Sequence, residues 1–108
     1  MIYIYDKKGF DRLLTLDRDT LVDADLSGKN LREANMIQFD LRNADLSGCD
    51  LSCADLRQAN LSGANLTGAD LTDADLTGAR LDKAIMTNVK TRNDKPKEAV
   101  ITMHMPPK

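Results

Sequence analysis

Tryptophan is absent from the 108 residues, and tyrosine and phenylalanine occur twice each. A core of interlocking aromatic rings is therefore excluded, and whatever packs here is aliphatic. There is one histidine, His104, near the C-terminus, so a histidine cluster for metal or proton transfer is excluded as well. Two cysteines, Cys49 and Cys53, do not make a disulfide framework. Neither sign of charge dominates: the formal net charge is −2, which gives no global electrostatic reason for direct nucleic-acid binding or for attraction to an anionic membrane. No apolar run approaches the length of a membrane span. The opening "MIYIYDKKGF" places its basic residues after the apolar ones, the reverse of a secretory signal, so the expected setting is the cytosol.

What the chain does have is a period of five. In "ADLSGCDLSCADLRQANLSGANLTGADLTDADLTGA", residues 44–79, a leucine returns at every fifth position. With the leucine at position i, the lattice runs through Leu26, Leu31, Met36, Leu41, Leu46 and onward to Leu81 and Met86. Position i−2 is nearly always small, as at Ala24, Ala34, Ala44, Ala54 and Ala64; Cys49 and Val89 also fit there, whereas Lys29 and Phe39 depart from the rule. Position i−1 is mostly Asp or Asn, and i+1 and i+2 are mostly Ser, Thr, Gly or charged. The composition alone resembles that of a disordered segment, but a disordered segment has no need to keep leucine in register.

Neither regular structure accepts this period. Five residues of α-helix overshoot a full turn by about 140°, so the leucines would wander around the cylinder. In a flat strand an odd period throws alternate leucines to opposite faces. A chain that turns a corner once per repeat satisfies the pattern. Residues i−2 and i then point inward and the other three outward. With corners near 90°, four repeats close a square and the chain climbs one rung of about 4.8 Å. Residues 20 apart should then stack, as the spacing of Gly28, Gly48 and Gly68 and of Ser27, Ser47, Thr67 and Thr87 suggests.

The repeats "ADLSG", "ANLSG", "ANLTG" and "ADLTG" resemble the A(D/N)LXX motif of pentapeptide-repeat proteins, over residues 24 to about 93. The resemblance implies an all-β fold, a right-handed quadrilateral parallel β-helix of about 3.5 coils. It implies little about activity, because the family is functionally diverse. Its best-known branch resembles B-DNA in shape and charge and binds DNA gyrase.

The ends depart from the lattice. Ile2 and Ile4 alternate with Tyr3 and Tyr5, a strand signal; "DKKG" at 6–9 reads as a turn, and "FDRLLTL" at 10–16 as a return strand or a short helix through Phe10, Leu13 and Leu14. A hairpin is preferred, making residues 1–23 an N-terminal cap over the first coil, with Phe39 adapted to it and Lys29 reaching out of the open end. Residues 24–93 form the repeat domain. Residues 94–108 combine a charged linker containing Pro96 with "AVITMHM", again strand-like. This tail either folds back over the last coil or adds to the edge of a neighbour, and stacked terminal coils would give a symmetric homodimer. Ile85, Met86, Val89, Ile101 and Met103 are the candidate contacts.

No enzyme chemistry is expected. The lattice sets Cys49 inward and Cys53 outward, so they share neither a metal ion nor a disulfide, and no serine or threonine has a base beside it. No catalytic residue, cofactor or metal site is foreseen. The carboxylates offer the sharper hypothesis. Stepping by 20 stacks Asp50 over Asp70 and Asp55 over Asp75, and with Asp73 these would form an acidic stripe for an unidentified protein partner. Against it stands the free exchange of Asp with Asn at i−1, which points to a shared acceptor oxygen that holds corners. The expected function is a non-catalytic protein-binding scaffold. One alternative is DNA mimicry towards gyrase, for which a column of about 17 Å is short beside one DNA turn of about 34 Å. The other is an ordered-water or ice-binding row along Ser27, Ser47, Thr67 and Thr87, for which thermal hysteresis is the readout.

Overall fold

In the computed structural model the described residues are 1–91; residues 92–108, with Ile101, Met103 and His104, lie outside them. From Leu21 onward the backbone repeats one local structure fourteen times. The carbonyl of each lattice residue accepts a hydrogen bond from the N–H three residues on, from Ala24 to Leu21 (3.1 Å) through Val89 to Met86 (3.3 Å). The second central residue of every such turn has positive φ, from Asp23 (63°) to Asn88 (58°), the pattern of a type II turn. Each turn bends the chain at i+1 and i+2, and a two-residue bridge leads to the next. The corner inferred from the period is thus a β-turn.

Four corners bring the chain back above itself. Parallel bridges join residues 20 apart on all four sides: Asp25 to Asp45 to Asn65 to Ile85, Asn30 to Asp50 to Asp70 to Lys90, Asn35 to Asp55 to Asp75, and Asp40 to Asn60 to Arg80. We number the sides in that order, first to fourth. Each rung is held by three backbone bonds per side. In the first side these are Leu26 N–H to Asp45 O (2.8 Å), Gly28 N–H to Ser47 O (2.9 Å) and Asp45 N–H to Ala24 O (2.8 Å). The groups that a strand would pair sideways are here paired along the axis.

The interior is solid. Leu26, Leu31, Met36, Leu41, Leu46, Leu51, Leu56, Leu61 and Leu66 are wholly buried, with Ala34, Ala44, Ala59, Ala64 and Ala69 in the corners between them. No buried side-chain nitrogen or oxygen among the described residues lacks a partner. The square admits one branched aliphatic and one small residue per side because i−2 lies beside the turn, where backbones converge.

The N-terminus forms a hairpin, β1 (Ile2–Tyr5) and β2 (Arg12–Leu16), antiparallel with Ile2 opposite Leu16 and Ile4 opposite Leu14. The turn at 6–9 closes with Gly9 N–H on Asp6 O (3.0 Å), and Phe10 is left exposed in the loop. The hairpin packs on the core at the first coil: Ile4 is wholly buried, Ile2, Leu13, Leu14 and Leu16 lie against the core, and Leu26, Leu31 and Met36 are sealed. Its backbone hydrogen bonds to the coil run to residues 33–35: Asn35 N–H donates to Tyr5 O (2.8 Å) and Lys7 N–H to Glu33 O (2.9 Å), in an antiparallel bridge. Alternation then turns Ile4 fully into the core and leaves Tyr3 and Tyr5 outside. Phe39 packs half-buried against the core beside β1, and Lys29 is exposed at its corner.

Candidate interaction faces

The outward positions of the second and third sides carry Asp50, Asp55, Asp70, Asp73 and Asp75, and the bridges place Asp50 against Asp70 and Asp55 against Asp75. The two ladders occupy neighbouring sides of the square. They are not a bare acidic surface, because each carboxylate at i−1 is already at work on the backbone. Its Oδ1 accepts the N–H of residue i+1: Ser52 on Asp50 (3.0 Å), Thr72 on Asp70 (3.0 Å) and Thr77 on Asp75 (3.0 Å). The hydroxyls of Ser52, Thr72 and Thr77 donate to the same oxygens. Asn does this equally well: Asn60 accepts from Ser62 (3.1 Å) and Asn65 from Thr67 (3.0 Å). The corner bond explains the exchange of Asp with Asn that the sequence shows.

Cations take up part of what remains. Arg57 grips Asp55 with two bonds, Nε to Oδ1 (2.9 Å) and Nη2 to Oδ2 (2.7 Å), and its Nε lies 4.0 Å from Asp75 Oδ2. Lys90 Nζ stands 3.9 Å from Asp70 Oδ2. Arg32 Nη1 donates to Ser52 Oγ (3.0 Å). Arg32 and Lys90 were not singled out in the sequence, although stepping by 20 sets Lys90 over Asp70 and Arg32 beside Ser52. The second side therefore reads, along the axis, as a cation, two carboxylates with their hydroxyls, and a second cation. These groups border a shallow hollow of about 310 Å³, completed by Thr91. Asp73 sits at the positive-φ position of its turn and is exposed.

The protonation equilibria follow these contacts. The Arg57 guanidinium, aided by Lys7 from the hairpin, holds the Asp55 carboxyl below its ordinary value, and Arg42 does the same for Asp40. The Thr77 hydroxyl and N–H depress Asp75. At Asp70 burial pushes the other way, and the Thr72 bonds with Lys90 outweigh it.

Cys49 is buried at the i−2 corner with its Sγ 2.8 Å from Leu26 O, and burial raises its pKa; Cys53 is partly exposed, and both are free thiols. Among the described residues no three His, Cys, Asp or Glu side chains gather as metal ligands would. No helix of the described residues is long and apolar enough to cross a membrane. On the first side, the hydroxyls of Ser27, Ser47 and Thr67 donate inward to Asp25, Asp45 and Asn65. The hydroxyl protons of these three residues are thus held at their own corners.

A family profile of pentapeptide repeats matches residues 20–48 and 49–88, in 8 copies. The chain belongs to the pentapeptide-repeat family. Its square coil is the right-handed quadrilateral β-helix of that family. It is similar to the crystal structure of Rfr23, a pentapeptide repeat protein from the cyanobacterium Cyanothece 51142, at 39% identity with a TM-score of 0.54, covering 67% of this chain and 52% of that one. It is also similar to HetL, a pentapeptide repeat protein involved in heterocyst differentiation regulation from Nostoc sp. strain PCC 7120, at 30% identity with a TM-score of 0.56, covering 66% of this chain and 38% of that one. A third similar structure, a pentapeptide repeat protein of the Arabidopsis thaliana thylakoid lumen, shares 37% identity over 65% of this chain and 45% of that one, with a TM-score of 0.49. The chain thus spans about half the length of the first of these or less. No curated relative matches the sequence.

Proposed function

We infer that this pentapeptide-repeat protein is a non-catalytic scaffold that binds another protein through its second and third sides. One observation carries the reading: a solid core leaves flat outer faces, and on the second and third of them pairs of carboxylates are stacked one coil apart, as Asp25 and Asp45 are on the first. Outward positions there hold Glu33, Asp50, Asp55, Asp70, Asp73 and Asp75 against Arg32, Arg57 and Lys90. The fourth side, by contrast, sets Asp23, Asp40 and Asp82 against Arg42, Arg80 and Lys83. The outer oxygens of Asp50 and Asp70, one rung apart, and that of Asp75 on the next side offer acceptors to a partner's lysines or arginines, since Lys90 and Arg57 approach Asp70 and Asp75 only to 3.9 and 4.0 Å. A preorganised face needs little ordering on binding, so little affinity is lost to conformational entropy. The similarity to HetL, a protein involved in heterocyst differentiation regulation, fits a role exercised by binding.

Charge is separable from architecture here, because Asn makes the same corner bond as Asp. The triple substitution Asp50→Asn, Asp70→Asn and Asp75→Asn should keep the fold and lose the partners captured from native lysate by the wild-type chain. Unchanged capture by a folded triple variant would show that the carboxylates serve the corners alone.

A further inference from the structure

The last coil ends in apolar side chains, with Ile85 exposed, Met86 half-buried and Val89 buried. The sides carry charge, and they carry it in different arrangements. On the fourth side each carboxylate meets an arginine of its own corner, Asp40 with Arg42 (2.8 Å) and Asp82 with Arg80 (2.9 Å), so these pairs are neutral where they stand. On the third side Arg57 closes on Asp55 in the same way (2.7 Å). The second side is arranged along the axis instead. Arg32 of the first coil donates to Ser52 Oγ of the second (3.0 Å), a hydroxyl and not a carboxylate, and Lys90 of the fourth coil approaches Asp70 of the third only to 3.9 Å. Between these cations Asp50 and Asp70 each give Oδ1 to the N–H and hydroxyl of Ser52 or Thr72, which leaves Oδ2 for other groups. Ser52 is buried, so its bonds hold the Asp50 carboxylate in one orientation away from competing water. All six side chains border the hollow of about 310 Å³.

We propose that the second side receives an extended segment of the partner protein, laid along the column axis, with charges in the order acid–x–base–x–acid. An arginine or lysine at the centre sits on Oδ2 of Asp50 and Asp70, and a carboxylate at each end sits on Arg32 or Lys90. This partner chemistry rests on the scaffold reading above. The spacing carries it. Rungs lie about 4.8 Å apart, so the backbone positions of Arg32 and Lys90 are about 14 Å apart, with the midpoint of the two carboxylates about 7 Å from either. An extended chain rises about 3.4 Å per residue, so its residues i, i+2 and i+4, which share a face, stand about 7 and 14 Å along it. The two series coincide. Binding then exchanges contacts and strands no charge: the central cation takes the place of Lys90 at Asp70, and Lys90 turns to the segment's terminal carboxylate. The backbone of this side is already paired along the axis, as Leu31 N–H to Asp50 O (2.8 Å) and Leu51 N–H to Asp70 O (2.8 Å) show, so recognition runs through side chains and the rungs set the register. A wholly basic segment would meet Arg32 and Lys90 with like charge, and a wholly acidic one would meet Asp50 and Asp70.

Titration of the full chain with end-blocked peptides at low ionic strength, followed by amide NMR, tests this. The probe carries glutamate–threonine–arginine–threonine–glutamate between alanines, and its permutation carries arginine–threonine–glutamate–threonine–glutamate, with the same composition. The probe is expected to shift the Ser52, Thr72 and Lys90 amides saturably. The permutation should bind about tenfold more weakly, since in the same register two of its three charges meet like charge. Lys90→Glu should weaken the probe by about fivefold and tighten, by a similar factor, a third peptide in which lysine replaces the final glutamate. A merely architectural Lys90 would not produce that recovery. No saturable shift up to millimolar peptide, equal binding of probe and permutation, shifts confined to other sides, or a charge swap without recovery would each overturn the proposal. None of these outcomes touches the scaffold reading, which stands or falls on lysate capture by the Asn triple variant, where the presence of carboxylates is at issue and the order of a partner's charges is not.

Discussion

Asn60 and Asp75 hold equivalent places on neighbouring sides and make the same bond to the N–H two residues on. The carboxylates add a pH dependence that the amides do not. Asp40, Asp55, Asp70 and Asp75 all have pKa values below the usual 3.8 in the folded chain. With folded values below unfolded ones, the open chain binds more protons as the medium turns acidic. Their contribution to stability is therefore complete above the unfolded value and fades as pH drops through the depressed ones. The urea midpoint should hold steady from neutrality down to about pH 5 and fall steeply below about pH 4. A midpoint indifferent to acid would mean that the corner bonds do not favour the ionised form. Thiol chemistry separates the two cysteines in the same way. Cys49 is sealed and its pKa is raised, whereas Cys53 is partly exposed. A thiol reagent should titrate one group promptly in the native protein and two in denaturant; two prompt equivalents would place Cys49 at the surface.

The repeated element is the turn, and here the sequence shows less than the structure. The period of five made the inward leucine, the small i−2 residue and the spacing of 20 legible, since each follows from a corner and a square. The type II turn was not legible at Glu33, Gln38, Cys53, Gln58 or Lys83, because none of these residue types announces positive φ. They adopt it because the ladder bonds on both sides of the turn outweigh a local cost of about 1–2 kcal/mol. Gln38 and Gln58 also gain a side-chain bond to each other along the axis (2.9 Å). The hairpin was legible from alternation, but its backbone bonds to Glu33 and Asn35 were not, since they depend on which first-coil edge Tyr5 meets. The glycines give an ordered test. A Cβ at Gly28 (φ 70°) meets nothing, so Gly28→Ala should cost only the strain, about 1 kcal/mol. At Gly63 (φ 72°) a Cβ runs into the Asn43 side chain, so Gly63→Ala should cost more. Lys83→Gly (φ 60°) removes strain while adding freedom to the unfolded chain, and should melt no lower than the wild type. Equal losses at Gly28 and Gly63 in thermal melts would contradict the contact at Asn43.

At the scale of the whole molecule, four columns of inward side chains, each coil packed only on the coils next to it, make stability a nearest-neighbour property. Each leucine touches the leucines one coil above and below, as Leu46 does between Leu26 and Leu66 in the column defined by the bridges. A cavity in mid-column breaks two interfaces, one near an end breaks fewer, and the rigid ladder on all four sides hinders collapse around either. Leu46→Ala should therefore cost about 3–5 kcal/mol, towards the upper part of the range for leucine truncation, and Leu81→Ala, in the last coil, about 2–3 kcal/mol. The denaturant slope should separate them further. A central cavity uncouples the two halves, so unfolding broadens and the apparent slope drops, whereas loss at the end leaves one cooperative block. Chemical denaturation of the two variants side by side measures both quantities. If Leu46→Ala and Leu81→Ala gave the same midpoint and the same slope, the column would be unfolding as one globular core with no memory of position, and stacking would not be what holds it together.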